Sequence, residues 1–208
     1  MKKFDSVEKL TDNPHLNLYH MDARKRNGER FDYYFASRNP EEGLKLRTKD
    51  LDPEGIVVYA VTEEPEPRLV LIREYRYPLD AEVYALPAGL VDAGETPGEA
   101  AAREMKEETG LAFEEYTGGD PCFRRPFFMG PGFTDETSAA VYGTVRTVEG
   151  IAECEDTEQI QTILADKEQV RQILREERVS LRGAYLMMHF LNSSGKEPFR
   201  FLGEKENE

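Results

Sequence analysis

The sequence predicts an α+β domain with a mixed sheet, plus a small N-terminal β hairpin. Three observations lead there. Strand-like and helix-like segments mix without the regular alternation that builds a doubly wound sheet. One segment, Pro97 to Thr109, carries a full set of helix start and stop signals. An Asn27-Gly28 pair, a strong hairpin turn signal, sits between two short aromatic runs. At 208 residues the chain has the size of one domain with an appendage and can bury a core without disulfide staples. We expect the hairpin region over 1–50, the main domain over 51–203 and a frayed tail over 204–208.

The hairpin comes first. Leu16 to Met21 reads as one strand, and Arg30 to Ser37, with alternating Phe31, Tyr33 and Phe35, as the next. It is too small to bury both faces by itself, so it needs the main domain or a second subunit as partner. Pro40 to Pro53 is mostly polar and reads as a connector. Ile56 to Val61 and Leu69 to Ile72 are β-branched runs, separated by Glu63-Glu64-Pro65-Glu66-Pro67, which cannot continue a strand. Pro87-Ala88-Gly89 breaks the chain again. Thr96-Pro97-Gly98-Glu99 is a capping box with proline at the first helical position, and Gly110 is a natural residue to end that helix. Ser138 to Val145 and Gln159 to Leu164 read as strands around an acidic loop, Gly150 to Glu158. Lys167 to Glu177 and Leu181 to Leu191 read as helices.

Charge narrows the function. Asp and Glu number 41 against 27 Lys and Arg, a formal charge of −14. That argues against nucleic acid or an anionic membrane as an electrostatic partner. It leaves phosphate ligands open, because a divalent cation reverses the local sign. Two cysteines, Cys122 and Cys154, make neither a disulfide framework nor a cysteine zinc site, which fits a reduced, cytoplasmic setting. No apolar run follows Met1-Lys2-Lys3-Phe4-Asp5, and none approaches the ~20 residues of a membrane span.

The chemistry lies between Gly89 and Leu111: Gly89, five residues, Glu95, seven residues, then Arg103-Glu104-Met105-Lys106-Glu107-Glu108-Thr109-Gly110-Leu111. At about 100° per residue, Glu104, Glu107 and Glu108 fall on one helical stripe. Three like charges there repel, and a hard cation such as Mg²⁺ or Mn²⁺, which prefers carboxylate oxygens, removes the penalty. Glu95 and Arg103 can bridge charges around the cluster. Ala101 and Met105 form an apolar stripe for docking on a sheet. The glycine-rich stretch Gly89 to Gly94 allows a close backbone approach. A Glu-rich face alone is ordinarily solvated surface; the full spacing would recur by chance on the order of once in ten million such chains.

This spacing resembles the Nudix box, Gly-x5-Glu-x7-Arg-Glu-aliphatic-x-Glu-Glu-x-Gly-aliphatic, at every position. The resemblance to Nudix hydrolases implies an α/β/α sandwich and cleavage of a nucleoside diphosphate linked to another moiety. It implies Glu104 and Glu108 as main ligands of Mg²⁺ or Mn²⁺, with Glu107 nearby, the Ala88 carbonyl as a backbone ligand, and more than one ion. Several stretches are similar to the ADP-ribose pyrophosphatase subgroup. Leu69 to Pro78 looks like its strand ending in a substrate-contacting arginine, here Arg76. Leu86-Pro87-Ala88-Gly89-Leu90-Val91 looks like its entry to the box. Gly130 to Glu136 looks like its proline loop, with Phe133 as a further substrate contact. The hairpin resembles the region this subgroup exchanges across a homodimer, with Tyr33 where an aromatic ring stacks on adenine and Arg38 a few residues on. Ala85 departs from the subgroup, many members having Glu there.

The resemblance thus implies metal-assisted hydrolysis of a nucleoside diphosphate sugar, with ADP-ribose giving AMP and ribose 5-phosphate. The general base is expected on the acidic loop, at Glu155 first and Glu153 next, with Glu107 and Arg103 completing the catalytic set. The runner-up is another such sugar, for example GDP-mannose. A nucleotide-binding module without catalysis is disfavoured by the intact carboxylates.

Overall fold

The structure, a computed structural model, describes residues 3–146 and 160–203. In chain order these form β1 (Phe4–Lys9), β2 (Asn17–Arg24), β3 (Arg30–Ser37), α1 (Lys45–Thr48), β4 (Gly55–Thr62), β5 (Leu69–Arg76), β6 (Ala81–Ala85) and β7 (Ala88–Leu90). There follow α2 (Pro97–Thr109), β8 (Ala112–Glu115), β9 (Phe127–Phe128), β10 (Thr137–Arg146), β11 (Ile160–Ala165), α3 (Lys167–Glu176) and α4 (Leu181–Asn192). The acidic loop, with Glu153 and Glu155, lies outside the described residues, as do Cys154 and the tail 204–208. Cys122 is a free, exposed thiol. No described helix is long and apolar enough to cross a membrane. The chain divides into two compact units, residues 1–54 with 126–138, and residues 55–125 with 139–208.

In the smaller unit the hairpin strands pair as the turn signal requires, Met21 opposite Tyr33 and Asn17 opposite Ser37. Gly28 supplies the positive φ of the turn, at 88°, which glycine adopts without a Cβ penalty. The sequence reading missed β1, which pairs antiparallel with β2 and makes the hairpin a three-stranded sheet. Val7, Tyr19, Phe35 and Leu44 form its core, with the Tyr19 and Phe35 rings stacked at 5.4 Å. The expected connector contains α1 and the fully buried Leu44. Lys45 is buried with it, its Nζ donating to the Asp52 carbonyl at 2.6 Å and pairing with Glu54 at 3.1 Å.

The larger unit holds a mixed sheet in the order β11-β5-β4-β10-β8, with β6 on β5 and β7 on β4. Every residue of β4 is buried, the pattern of a strand covered on both faces. Ile56, Val58 and Ala60 alternate toward Ala100, Ala101 and Met105 of α2. Val57, Tyr59 and Val61 point the other way, toward Val170 and Ile173 of α3 and Met187 and Phe190 of α4. Helix, sheet and helices therefore form three layers, the expected α/β/α sandwich. The sequence reading took Pro87-Ala88-Gly89 as a break. Pro87 does end the preceding segment, but Ala88 and Gly89 pair with Val57 and Ile56 as β7, and that pairing fixes the backbone beside α2.

Candidate active site

The local sequence places α2 at both ends. The Thr96 hydroxyl accepts from the Glu99 amide, the Glu99 carboxylate accepts from the Thr96 amide at 2.8 Å, and Gly110 closes the helix in the left-handed conformation. With the ends fixed and Met105 fully buried, rotation about the helix axis is set, and the three carboxylates grade from inside to outside. Glu108 is only 5% exposed. The Glu104 side chain is 14% and that of Glu107 is 42% exposed.

Each carboxylate has a defined partner. Glu108 accepts from the Ala88 amide at 3.1 Å. Glu104 faces Gly89 so closely that a Cβ there would lie 1.9 Å from its Oε1. Arg103 ties the cluster together. Its Nη1 donates to Glu104 at 2.7 Å and Glu107 at 3.2 Å, its Nε and Nη2 form a fork on Glu95 at 3.0 and 2.9 Å, and Nη2 also reaches the Leu90 carbonyl at 2.9 Å. Hydrogen bonding to Glu95, then to Glu104, pushes the Arg103 guanidinium further above its already high range. Arg103 and the Asp92 amide together hold Glu95 below the usual carboxylate range.

This arrangement gathers anionic oxygen donors and a glycine backbone around one guanidinium. Among the described residues no three acidic, histidine or cysteine side chains form a ready-made metal cage; Arg103 supplies the compensating charge instead. The donors are hard oxygens, and the space over Gly89 is kept by the absence of a side chain. Both features suit Mg²⁺ or Mn²⁺.

The structure brings three of the expected substrate contacts together in the smaller unit. The Tyr33 hydroxyl donates to the Gly132 carbonyl at 2.6 Å, so the ring is anchored in its own unit. The next residue, Phe133, is 66% exposed and its carbonyl accepts from the Ala36 amide at 2.8 Å. Arg38 lies 3.7 Å from Glu136 of the same loop. Arg76, at the end of β5 in the larger unit, is paired with Glu74. The sequence reading did not single out Glu74, Arg178 or Arg182. They share with Arg76 and Ala88 the walls of a cavity of about 420 Å³ on the α4 side of the sheet. No local motif marks them, since only the pairing of β5 with β6 and the packing of α4 bring them together.

A NUDIX domain model matches residues 53–182. The chain belongs to the Nudix family. Among relatives, it is 39% identical over 90 residues to "Putative nudix hydrolase 2" of Caenorhabditis elegans, covering 42% of this chain and 38% of that protein. It is 36% identical over 84 residues to an ADP-ribose pyrophosphatase of Bacillus subtilis, covering 40% and 42%. The chain thus spans about two fifths of the length of these relatives. A crystal structure of an ADP compounds hydrolase aligns with a TM-score of 0.65 over 90% of this chain and 92% of that one, at 19% identity, and so shares the Nudix fold.

Proposed function

We propose that this Nudix protein hydrolyses the pyrophosphate of a nucleoside diphosphate sugar, with ADP-ribose the first substrate to test. The observation that carries the reading is the Arg103-centred cluster, with Glu95, Glu104 and Glu107 on one guanidinium and Glu108 fixed on the Ala88 amide. Similarity to an ADP-ribose pyrophosphatase over that segment supports the substrate class.

In this mechanism Glu104, Glu107, Glu108 and the Ala88 carbonyl would hold Mg²⁺ or Mn²⁺, more than one ion. Such ions supply neutralisation of charge on the phosphoryl oxygens during displacement. Arg103 holds Glu104 and Glu107 at fixed positions and keeps Glu95 ionised. A loop carboxylate, Glu155 or else Glu153, accepts the proton of the attacking water, for which it must come within about 3 Å. The water oxygen bonds to one phosphorus and the bridging P–O bond breaks. The bridging oxygen leaves on the other phosphate, giving AMP and ribose 5-phosphate. Two copies of the chain act as a homodimer through the N-terminal region, which light scattering checks.

The test is AMP release from ADP-ribose with Mg²⁺, for wild type and Glu108→Gln, alongside GDP-mannose and other sugars. Activity confined to the wild type supports the reading. Equal activity in both removes Glu108 from the metal site, and a preference in kcat/KM for another sugar reassigns the substrate.

A further inference from the structure

The cavity on the α4 side of the sheet has a charge that the carboxylate cluster does not explain. We propose that it is the subsite for the sugar-phosphate half of the substrate, and that Arg178, with Arg182 beside it, binds the phosphate of that half. This rests on the pyrophosphatase reading above.

The cavity, about 420 Å³, lies within the ~300–1,000 Å³ typical of small-ligand sites. Three guanidinium groups and one carboxylate line it: Arg76, Arg178, Arg182 and Glu74. Glu74, whose side chain is only 12% exposed, is paired with Arg76 at 2.5 Å, so that pair is neutral within itself. The excess positive charge comes from Arg178 and Arg182. Arg178 is exposed and makes no ion pair with any described residue. In a chain with 41 acidic residues, a guanidinium at a concave site that has drawn in no described carboxylate is placed to take an anion from solution. Its planar fork matches a phosphate through two parallel hydrogen bonds. The first turn of α4, which carries Arg182, begins at the cavity wall, so the positive end of the helix adds to the same field.

Position supports the assignment. Ala88 forms part of the cavity wall, and the amide of the same residue holds Glu108. A ligand in the cavity therefore sits one peptide unit from the carboxylates proposed to act on the diphosphate. Ala85, also in the wall, contributes no charge, so nothing at that position offsets the arginines.

The experiment titrates ribose 5-phosphate, and separately free ribose, into the full chain with EDTA present, by calorimetry. Ribose 5-phosphate should bind the wild type and free ribose should not. Arg178→Ala should weaken binding about tenfold, in line with loss of a charged hydrogen bond, and Arg178→Ala with Arg182→Ala further. Arg178→Lys should recover part of the loss. Glu108→Gln should bind as the wild type does. Thermal unfolding reports whether each variant folds, and the exposed Arg178 carries no core contact to lose. Equal affinity in wild type and the double variant overturns the proposal, as does absence of binding to the wild type or equal binding of free ribose. If no nucleoside diphosphate sugar is hydrolysed yet binding depends on Arg178, the pyrophosphatase reading fails and the anion subsite stands.

Discussion

Gly89→Ala separates placement of Glu104 from stability of the fold. The Gly89 backbone lies outside the left-handed region, so alanine can adopt it without strain. The only obstacle is the new methyl group, 1.9 Å from Glu104 Oε1 and 2.0 Å from its Cδ. Ordinary contact begins at 3.4 Å, so the carboxylate must retreat by about 1.5 Å, the difference between 3.4 and 1.9 Å. It is the far end of a flexible side chain, so the retreat is cheap for the fold, within about 1 kcal/mol. It is expensive for the proposed reaction, because a displacement of about 1 Å in a positioned group can cost on the order of 100-fold. The retreat also takes Glu104 from the Arg103 nitrogen that holds it at 2.7 Å. ADP-ribose hydrolysis with Mg²⁺ gives kcat, and a thermal melt gives stability. The expected result is a melting point within a few degrees of wild type with kcat lowered about 100-fold. A variant with wild-type kcat refutes the reasoning, since the Glu104 carboxylate would then have no required place over residue 89.

Other perturbations read different parts of the molecule. Thr96→Ala removes one half of the capping box and should cost about 1 kcal/mol, seen as a melting point lower by roughly 2–4 °C, with activity retained. Lys45→Met leaves Glu54 buried without its cation. Burial pushes Glu54 up, and hydrogen bonds from Asn39, Thr137 and Lys45 more than reverse it, so the loss should approach about 3 kcal/mol in urea unfolding. His20 is raised above 6.5 by its bond to Asp32, against a desolvation effect, with Glu8 adding to the rise. A raised histidine stabilises fully below its unfolded pKa and loses that contribution as pH rises through its folded one. Melting should therefore fall from pH 6 upward, and His20→Gln should flatten that slope. Glu95 has the opposite sign. Held low by Arg103, it stabilises above its unfolded value near 4.5 and loses this as pH falls below it, a dependence that Arg103→Gln should reduce.

The parts legible in the sequence were those that local chemistry dictates. α2 was readable to the residue because its cap, its first-turn proline and its terminal glycine are neighbours in the chain. β3 was readable because its aromatics alternate. β1 was not, since Phe4-Asp5-Ser6-Val7-Glu8-Lys9 has little apolar alternation and is a strand only because β2 offers an edge. β7 was hidden by Pro87, since a break in local propensity says nothing about pairing with a distant strand. The carboxylates followed from helical spacing, but their partners did not. That Glu108 rests on the Ala88 amide and Glu104 on Gly89 depends on β7 lying against β4. Arg178 belonged to no motif and became visible only once α4 packed beside β6.

The larger unit uses its sheet as a partition, and this accounts for an acidic chain that handles an anionic ligand. Alternation along β4 assigns one face to α2 and the other to α3 and α4. The carboxylates stand with α2, whereas Arg178 and Arg182 stand with the start of α4. Had all these groups shared one face, they would have paired with one another, as Arg103 does with Glu95, Glu104 and Glu107, leaving neither cation nor anion sites. At Ala88 the two environments meet, one through its amide and the other through the cavity wall. A diphosphate spanning that residue can have one end against a cation-seeking cluster and the other against guanidinium groups. Moving positive charge across the partition should then be worse than removing it. Ala85→Glu, which adds a carboxylate on the Arg178 side, should weaken ribose 5-phosphate binding at least as much as Arg178→Ala. Unchanged binding in that variant, with the fold intact by thermal melt, would break the link between cavity charge and ligand.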